Sequence, residues 1–275
     1  MQWRTVNQNI ARVVQRFSQL AEVKAIALGG SQATGQVGAN SDYDIYIYVR
    51  ENISAGKRLE FGLEFSPNAQ IVDYWGPGLE WDDPESNIHI DTIYFETSWI
   101  EAQLNKTLVQ CEASLGYSTC FWHTVRVSQI LYDPDQWFAR LQQQAQVPYP
   151  DLLAQRIIAL NLPVLRDSFS SYRRQIAKAV QRHDAVDLQH KVSSYLASVF
   201  DILFAVNRIP HPGEKRLIDL TERQCALLPP NLRQKIEAIL ADIINNPPAV
   251  VSAVDALTTA IETLLSHANV SRRSI

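Results

Sequence analysis

Two carboxylates placed two residues apart are the side chains of this sequence best suited to chemistry. Asp42 and Asp44 begin an apolar run that ends at Val49. In a strand, side chains two residues apart point to the same face, so both carboxylates are expected on one side of a sheet. Mg²⁺ prefers such hard oxygen ligands and keeps waters and substrate phosphates in its shell. The spacing therefore predicts a metal site on a strand from Asp42 to Val49.

A turn of small residues stands shortly before these carboxylates. Gly29-Gly30-Ser31 follows the apolar run Val23–Leu28, which has the composition of a strand. Backbone N–H groups and a hydroxyl in such a turn can hold an anionic phosphate. Ser31 can also cap a short helix, which would direct further N–H groups at that phosphate. Phosphate binding beside metal chelation indicates nucleotidyl transfer.

A third carboxylate is expected on a later strand. Residues 87–96 alternate between apolar and polar types, as a half-buried strand does, and Asp91 lies among them. Asp73 is the rival, because it also stands in a β-branched and aromatic run. Asp91 is preferred because its strand pattern is stronger and a helical pattern follows it directly. Close carboxylates raise one another's pKa, so Asp91 would either share a second metal ion or accept a proton from the acceptor.

Gly30-Ser31, a spacer of ten residues and Asp42-x-Asp44 together resemble the signature of the DNA polymerase beta-like nucleotidyltransferase superfamily. The resemblance implies a mixed sheet flanked by helices, with Asp42, Asp44 and Asp91 as catalytic residues and metal ligands. It also implies that Gly30 and Ser31 bind the phosphates of ATP or another NTP, with Mg²⁺ as the cofactor.

The C-terminal half extends this resemblance to a bacterial two-domain type, in which the same N-terminal fold precedes a helical domain. The segments that carry it are 149–153, 204–208 and 212–215. A triphosphate needs a balancing cation, and the resemblance favours Lys215 as a nucleotide-binding residue. Arg216 beside it and Lys191 are the alternatives.

Helical patterns frame the predicted strands. Residues 5–20 are expected to form an amphipathic helix that covers a face of the sheet. Ser98-x-x-Glu101 matches a capping box, so a second helix is expected to run to Leu115 and to be closed by Gly116.

The pattern becomes helical throughout from Asp151 onward. We therefore predict an α+β protein with a nucleotidyltransferase domain over residues 1–140. A C-terminal α-helical bundle is predicted over residues 141–275.

Composition indicates which partners and which cellular location to expect. The chain has 275 residues, 46% hydrophobic content and a net charge of −4, which argues against a long polynucleotide as a partner. Its local cluster of basic residues is interpreted as a solvated helix face; the cluster comprises Arg166, Arg173, Arg174, Lys178 and Arg182. Three widely spaced cysteines indicate reduced thiols. No run approaches the ~20 apolar residues of a membrane span, so a cytoplasmic protein without a membrane partner is expected.

The predicted function is Mg²⁺-dependent transfer of an NMP, AMP from ATP in the first instance, onto a hydroxyl of a small molecule or protein. The alternative is a non-catalytic nucleotide sensor or interaction protein of the same fold. Retention of both Asp42 and Asp44 favours the enzyme, because loss of either is the simplest route to an inactive relative. The sequence indicates neither the acceptor nor the oligomeric state.

Overall fold

The computed structural model describes residues 8–33, 42–74 and 76–268, which form two compact units. The first unit comprises its described residues up to Asn105 together with Phe121–Val147. The second comprises Lys106–Cys120 and the described residues from Pro148 onward. Compact units are not the same as independently folding domains. The boundary between residues 140 and 141 therefore stays a prediction.

The described residues of the first unit build a six-stranded sheet with the strand order β3-β4-β5-β2-β1-β6. Its strands are β1 Val23–Leu28, β2 Tyr43–Val49, β3 Gln70–Ile71, β4 Gly78–Asp82, β5 His89–Glu96 and β6 Gln129–Tyr132. β2 and β5 run parallel, whereas the other neighbours are antiparallel. The mixed sheet with flanking helices, followed by a helical C-terminal region, confirms the predicted α+β class.

Helices cover both faces of this sheet. They are α1 Gln8–Phe17, α2 Gly30–Ala33, α3 Ala55–Leu63, α4 Thr97–Leu104, α5 Cys120–Val127 and α6 Trp137–Ala145. Phe17 of α1 and Phe61 of α3 stack in a core that includes Ile45 and Ile47. On the opposite face, the fully buried Tyr48 stacks on Phe138 of α6. Successive side chains of β2 thus point alternately to the two faces of the sheet and contribute to the core on each.

The second unit is helical over its described residues, with α7 Asp151–Leu165, α8 Tyr172–Gln181, α9 Ala185–Val206, α10 Leu217–Gln224, α11 Leu232–Asn245 and α12 Pro247–His267. α9 is the central helix and packs against α7, α8, α10 and α11. Arg166 pairs with Glu262, and Arg173 pairs with Asp255. The predicted solvated basic face is therefore only partly right, because these two arginines bind α12. The remaining three basic residues of that face are exposed.

The helix predicted from the capping box differs from the observed one. α4 ends at Leu104 and continues only as a π-helical turn over Asn105–Val109, and its N-cap residue makes no side-chain capping bond. Glu101 accepts a hydrogen bond from Trp137 instead. Gly116 lies beyond the helix, where its N–H donates to Asn161. Glu101 and Gly116 therefore form hydrogen bonds with residues from other helices and not the capping bonds that were expected of them.

α12 is the one helix of the described residues that is long and apolar enough to cross a membrane. The sequence interpretation that no run approaches a membrane span is therefore wrong on length and composition. The observation is weak evidence for a membrane segment, since the core helix of a soluble protein passes the same test. Val254, Leu257 and Ile261 of α12 are fully buried, and its two acidic residues form the ion pairs named above.

Candidate functional site

Strand register brings three carboxylates into one row across the sheet. Asp44 on β2 lies opposite Asp91 on the parallel strand β5. Glu80 on β4 lies opposite Asp91 from the other side. Cross-strand partners share a face of the sheet, so the three side chains project to the same side. We call Glu80, Asp91 and Asp44 the carboxylate row.

Asp42 lies just outside the strand that was predicted to begin with it. β2 starts at Tyr43, and Asp42 is exposed at the residue before it. Its charge still acts on Asp91, because Asp42 is among the groups that raise the pKa of that carboxyl. Asp42 thus stands at the entrance of β2, while register brings Asp44 and Asp91 together. The role of the three as a shared metal and catalytic site stays a prediction.

The pKa of Asp91 is raised by its surroundings. Burial first, and then the charges of Glu80 and Asp44, raise its pKa to about 6, while His89 works in the opposite direction. His89 itself bonds to Asp82 at 2.9 Å, and this bond, together with Glu80, raises the pKa of the imidazole although burial lowers it. Such a concentration of like charge is relieved by a bound cation.

Glu80 was missed by the sequence interpretation. Its segment Gly78–Asp82 follows turn residues and contains only five strand residues. The burial pattern nevertheless alternates there, with Leu79 and Trp81 buried and Glu80 between them partly exposed. That alternation was visible in the sequence and would have placed Glu80 on a polar face.

The Gly29-Gly30 turn touches the carboxylate strand directly. Gly29 N–H donates to the backbone oxygen of Asp44 at 2.8 Å. A Cβ on Gly30 would lie 1.7 Å from Asp44 Oδ2, and one on Gly29 would lie 2.1 Å from the Tyr46 ring. Gly30 also has a φ of +57°, which glycine adopts without the usual strain. Both glycines are therefore required by the close approach of β2.

Ser31 occupies a different place from the predicted cap. α2 begins at Gly30 and ends at Ala33, so Ser31 is the second residue of this short helix and not the residue before it. Ala33 N–H donates to the backbone oxygen of Gly29 at 3.1 Å. The Ser31 side chain lies outside what the structure describes, and its phosphate contact stays a prediction.

Asp73 has a structural partner that explains its position. Arg58 is buried and forms two hydrogen bonds with the Asp73 carboxylate, at 2.8 and 3.0 Å. This pairing lowers the pKa of Asp73. The guanidinium also donates to the backbone oxygen of Gly78, so the pair fixes the chain that leads into β4. Asp91, and not Asp73, joins the row with Asp44.

The predicted cations belong to the second unit. Lys215 is exposed in the turn before α10. Lys191 pairs with Asp187 one helical turn away, at 3.6 Å. The role of Lys215 in nucleotide binding stays a prediction, as does that of its neighbour Arg216, which pairs with Asp219.

The carboxylates near the Gly29-Gly30 turn supply at most part of a metal ion's shell. Among the described residues, no group of three or more His, Cys, Asp or Glu side chains is arranged to hold a metal ion alone. Mg²⁺ commonly takes one or two carboxylates and completes its shell with water and substrate phosphates. Asp42 and Asp44 supply hard oxygen donors of this kind beside the Gly29-Gly30 turn, so the donor set fits a substrate-bridged Mg²⁺.

Comparison with known proteins relates part of the first unit to a described family. Residues 10–100 match the family described as "Nucleotidyltransferase domain". No curated protein sequence matches the chain. A nucleotidyltransferase-like protein from Exiguobacterium sibiricum 255-15 is 9% identical, and the alignment covers 95% of this chain and 75% of that one with a TM-score of 0.44. A score that low carries no argument. Residues 10–100, which include Gly30, Asp44 and Asp91, are thus similar to a nucleotidyltransferase domain.

Proposed function

We propose that this protein is an Mg²⁺-dependent nucleotidyltransferase that moves AMP from ATP onto a hydroxyl of a small molecule or protein. The observation that carries the proposal is the meeting of the Gly29-Gly30 turn with the carboxylate row inside a nucleotidyltransferase domain. Nucleotidyl transfer needs phosphate holding and charge neutralisation at adjacent points, and these two features supply them.

The order of residues across the sheet supports a separate side for each substrate. From β1 to β4, the strands present the Gly29-Gly30 turn, then Asp44, then Asp91, then Glu80. The donor triphosphate is expected at the glycine end, where backbone N–H groups are available. The acceptor hydroxyl is then expected on the far side of Asp44, where it meets Asp91 and Glu80.

The chain's own groups have distinct tasks in the reaction. Asp42 and Asp44 would hold Mg²⁺, which when bound neutralises phosphate charge and steadies the reacting oxygens. Asp91 accepts the proton of the acceptor hydroxyl while the hydroxyl oxygen bonds to the α-phosphorus. The bond between the α-phosphorus and the bridging oxygen breaks, and pyrophosphate leaves with that electron pair. The proximity of Gly30 fixes the Asp44 carboxylate before substrate arrives.

A two-stage experiment tests this function. Thermal shift with ATP, GTP, CTP and UTP, each with Mg²⁺ or with EDTA, is expected to show stabilisation that requires both nucleotide and metal. Pyrophosphate release in the presence of candidate hydroxyl acceptors then identifies turnover. Asp44→Asn is expected to lose both responses, whereas Glu51→Gln, which removes an exposed carboxylate outside the row, retains them.

The outcomes separate the enzyme from the alternative function. Metal-dependent nucleotide binding without pyrophosphate release on any acceptor would favour a non-catalytic nucleotide-binding protein. Stabilisation by no nucleotide under either condition would contradict the proposed function.

A further inference from the structure

An aromatic cluster lies on the same face of the sheet as the carboxylate row. Tyr46 and Phe95 project to that face, because Tyr46 follows Asp44 by two residues on β2 and Phe95 follows Asp91 by four on β5. Trp99 from the first turn of α4 stacks on Phe95, with ring centroids 5.3 Å apart and an interplanar angle of 5°. Phe121 of α5 meets Trp99 edge-on at 4.8 Å. We call Tyr46, Phe95, Trp99 and Phe121 the aromatic shelf.

Two rings of the shelf, Trp99 and Phe121, keep part of their aromatic surface accessible. Trp99 and Phe121 are each 38% exposed although they contact each other and Phe95. Single exposed apolar residues are ordinary, but a contiguous aromatic group is the composition of a recognition surface. Flat rings of this kind bind nucleic acid bases by stacking, since every base has a π-face.

Tyr46 joins the shelf to the place where the donor phosphates are expected. Its ring lies against the backbone of Gly29, where a Cβ would come within 2.1 Å of it. The same ring contacts Phe95, with centroids 5.6 Å apart. Tyr46 also hydrogen-bonds to the backbone of Gly30. The aromatic shelf therefore extends to the Gly29-Gly30 turn, where the donor phosphates are expected.

Distances along the strands agree with this placement. At roughly 3.3 Å per residue, Tyr46 is about 7 Å from Asp44 along β2, and Phe95 is about 13 Å from Asp91 along β5. A nucleoside triphosphate bridges separations of this order, because its phosphates and ribose lie in series before the base. A base on the shelf and a triphosphate at Gly29-Gly30 are thus compatible with one bound nucleotide.

We propose that the aromatic shelf stacks the base of the nucleoside triphosphate donor. This inference rests on the proposed function, because it assigns a part of the same substrate. Stacking on rings depends on the π-face more than on the hydrogen-bonding edge of the base. The shelf therefore favours the larger purine ring over pyrimidines, and it discriminates little between adenine and guanine.

Calorimetric binding of two magnesium complexes tests the shelf separately from the phosphate site. The probes are Mg·ATP and Mg·tripolyphosphate, which shares the phosphates but has no base. Trp99→Ala is expected to weaken Mg·ATP binding about tenfold and to leave Mg·tripolyphosphate binding unchanged. Trp99→Phe should retain most of the ATP affinity. Phe169→Ala, which removes a 90% exposed ring in the second unit, is the matched control and should change neither.

Each contrary outcome has its own meaning. Unchanged ATP affinity in Trp99→Ala, or an equal loss for ATP and tripolyphosphate, would overturn the shelf and leave the proposed function standing. A wild-type protein that binds neither probe would remove the proposed function and the shelf with it. If Trp99→Ala does not fold, Trp99→Leu applies the same comparison with an apolar side chain that cannot stack.

Discussion

Each unit contains a carboxyl whose pKa is raised by burial, and the surroundings of the two carboxyls differ. In the second unit, Asp201 is almost fully buried, which raises its pKa to about 7. It accepts hydrogen bonds from the Ser118 N–H at 3.1 Å and from the Ser118 hydroxyl at 2.6 Å. In the first unit, Asp91 reaches a pKa of about 6 by burial and by the charges of neighbouring carboxylates.

The comparison shows that a raised pKa does not by itself identify a reactive group. Asp201 is part of a hydrogen-bonded arrangement that fixes the backbone of residues 114–118, and Asn161 contributes to it from α7. Asp91 lies between like charges, because Asp44 and Glu80 occupy the neighbouring strands on either side. This arrangement destabilises the fold and is relieved by a cation. The first environment is typical of a structural carboxyl, and the second is typical of a binding site.

The largest effect is expected from Asp44→Asn. Loss of a metal ligand removes several kcal/mol of charge stabilisation, and about 4 kcal/mol corresponds to roughly a 10³-fold lower rate of transfer. The fold should persist or gain stability, because the substitution removes one charge of the row. Pyrophosphate release and thermal melting measure the two effects. Near wild-type turnover would place the metal site elsewhere.

Asp201→Ala should act on stability and not on chemistry. The substitution leaves the Ser118 donors without their carboxylate, and each unsatisfied buried donor costs about 1–3 kcal/mol. A loss of about 3 kcal/mol in the free energy of unfolding is expected by denaturant titration. Asp201→Asn keeps an acceptor oxygen and should lose less. A stable Asp201→Ala protein without activity would reverse the assignment of the two carboxyls.

Asp91→Asn should stabilise the protein without metal at high pH. The folded-state pKa of Asp91 is raised, so the stabilisation from its protonated form is complete below its ordinary pKa of 3.8 and is lost as the pH rises through about 6. At pH 8 in EDTA, the variant should be more stable than the wild type by on the order of 1–2 kcal/mol, allowing for partial exposure. At pH 4 the difference should nearly vanish. Equal differences at both pH values would refute the assigned pKa.

Lys215→Ala gives the smallest expected effect and asks whether the helical unit contributes to nucleotide binding. A single charge-assisted contact at an exposed lysine corresponds to about a tenfold change in Mg·ATP affinity, measured by calorimetry. Lys178→Ala is the matched control, because it removes an exposed lysine of the same unit that is not a candidate for nucleotide binding. Unchanged affinity in both variants would restrict nucleotide binding to the first unit.

Local pattern predicted the strands of the site well. β1 was predicted over its observed range, and the alternation around Asp91 gave the strand that pairs with β2. The β5 prediction succeeded because burial of one sheet face imposes a period of two on the sequence. β1 is buried on both faces, so its sequence is a continuous apolar run. Glu80 was missed because its strand is short and follows a segment that is rich in turn residues.

Tertiary contacts decided the features that local pattern failed to predict. The expected helix to Leu115 gives way after Val109, because Asn161 and Asp201 supply partners to the backbone at Gly116 and Ser118. The close approach of Gly30 to Asp44 is likewise invisible until the strands are paired.

The parallel pairing of β2 with β5 also has a consequence for the way the chain folds. β1 and β2 are neighbours in sequence and in the sheet, whereas Asp44 meets Asp91 only after α3, β3 and β4 have been traversed. Long-range parallel pairing closes a large loop before its contacts form, so it is expected late in folding. During synthesis on the ribosome, the row cannot assemble until β5 has emerged. A chain that has emerged only through β4 therefore lacks Asp91, the central carboxylate of the row.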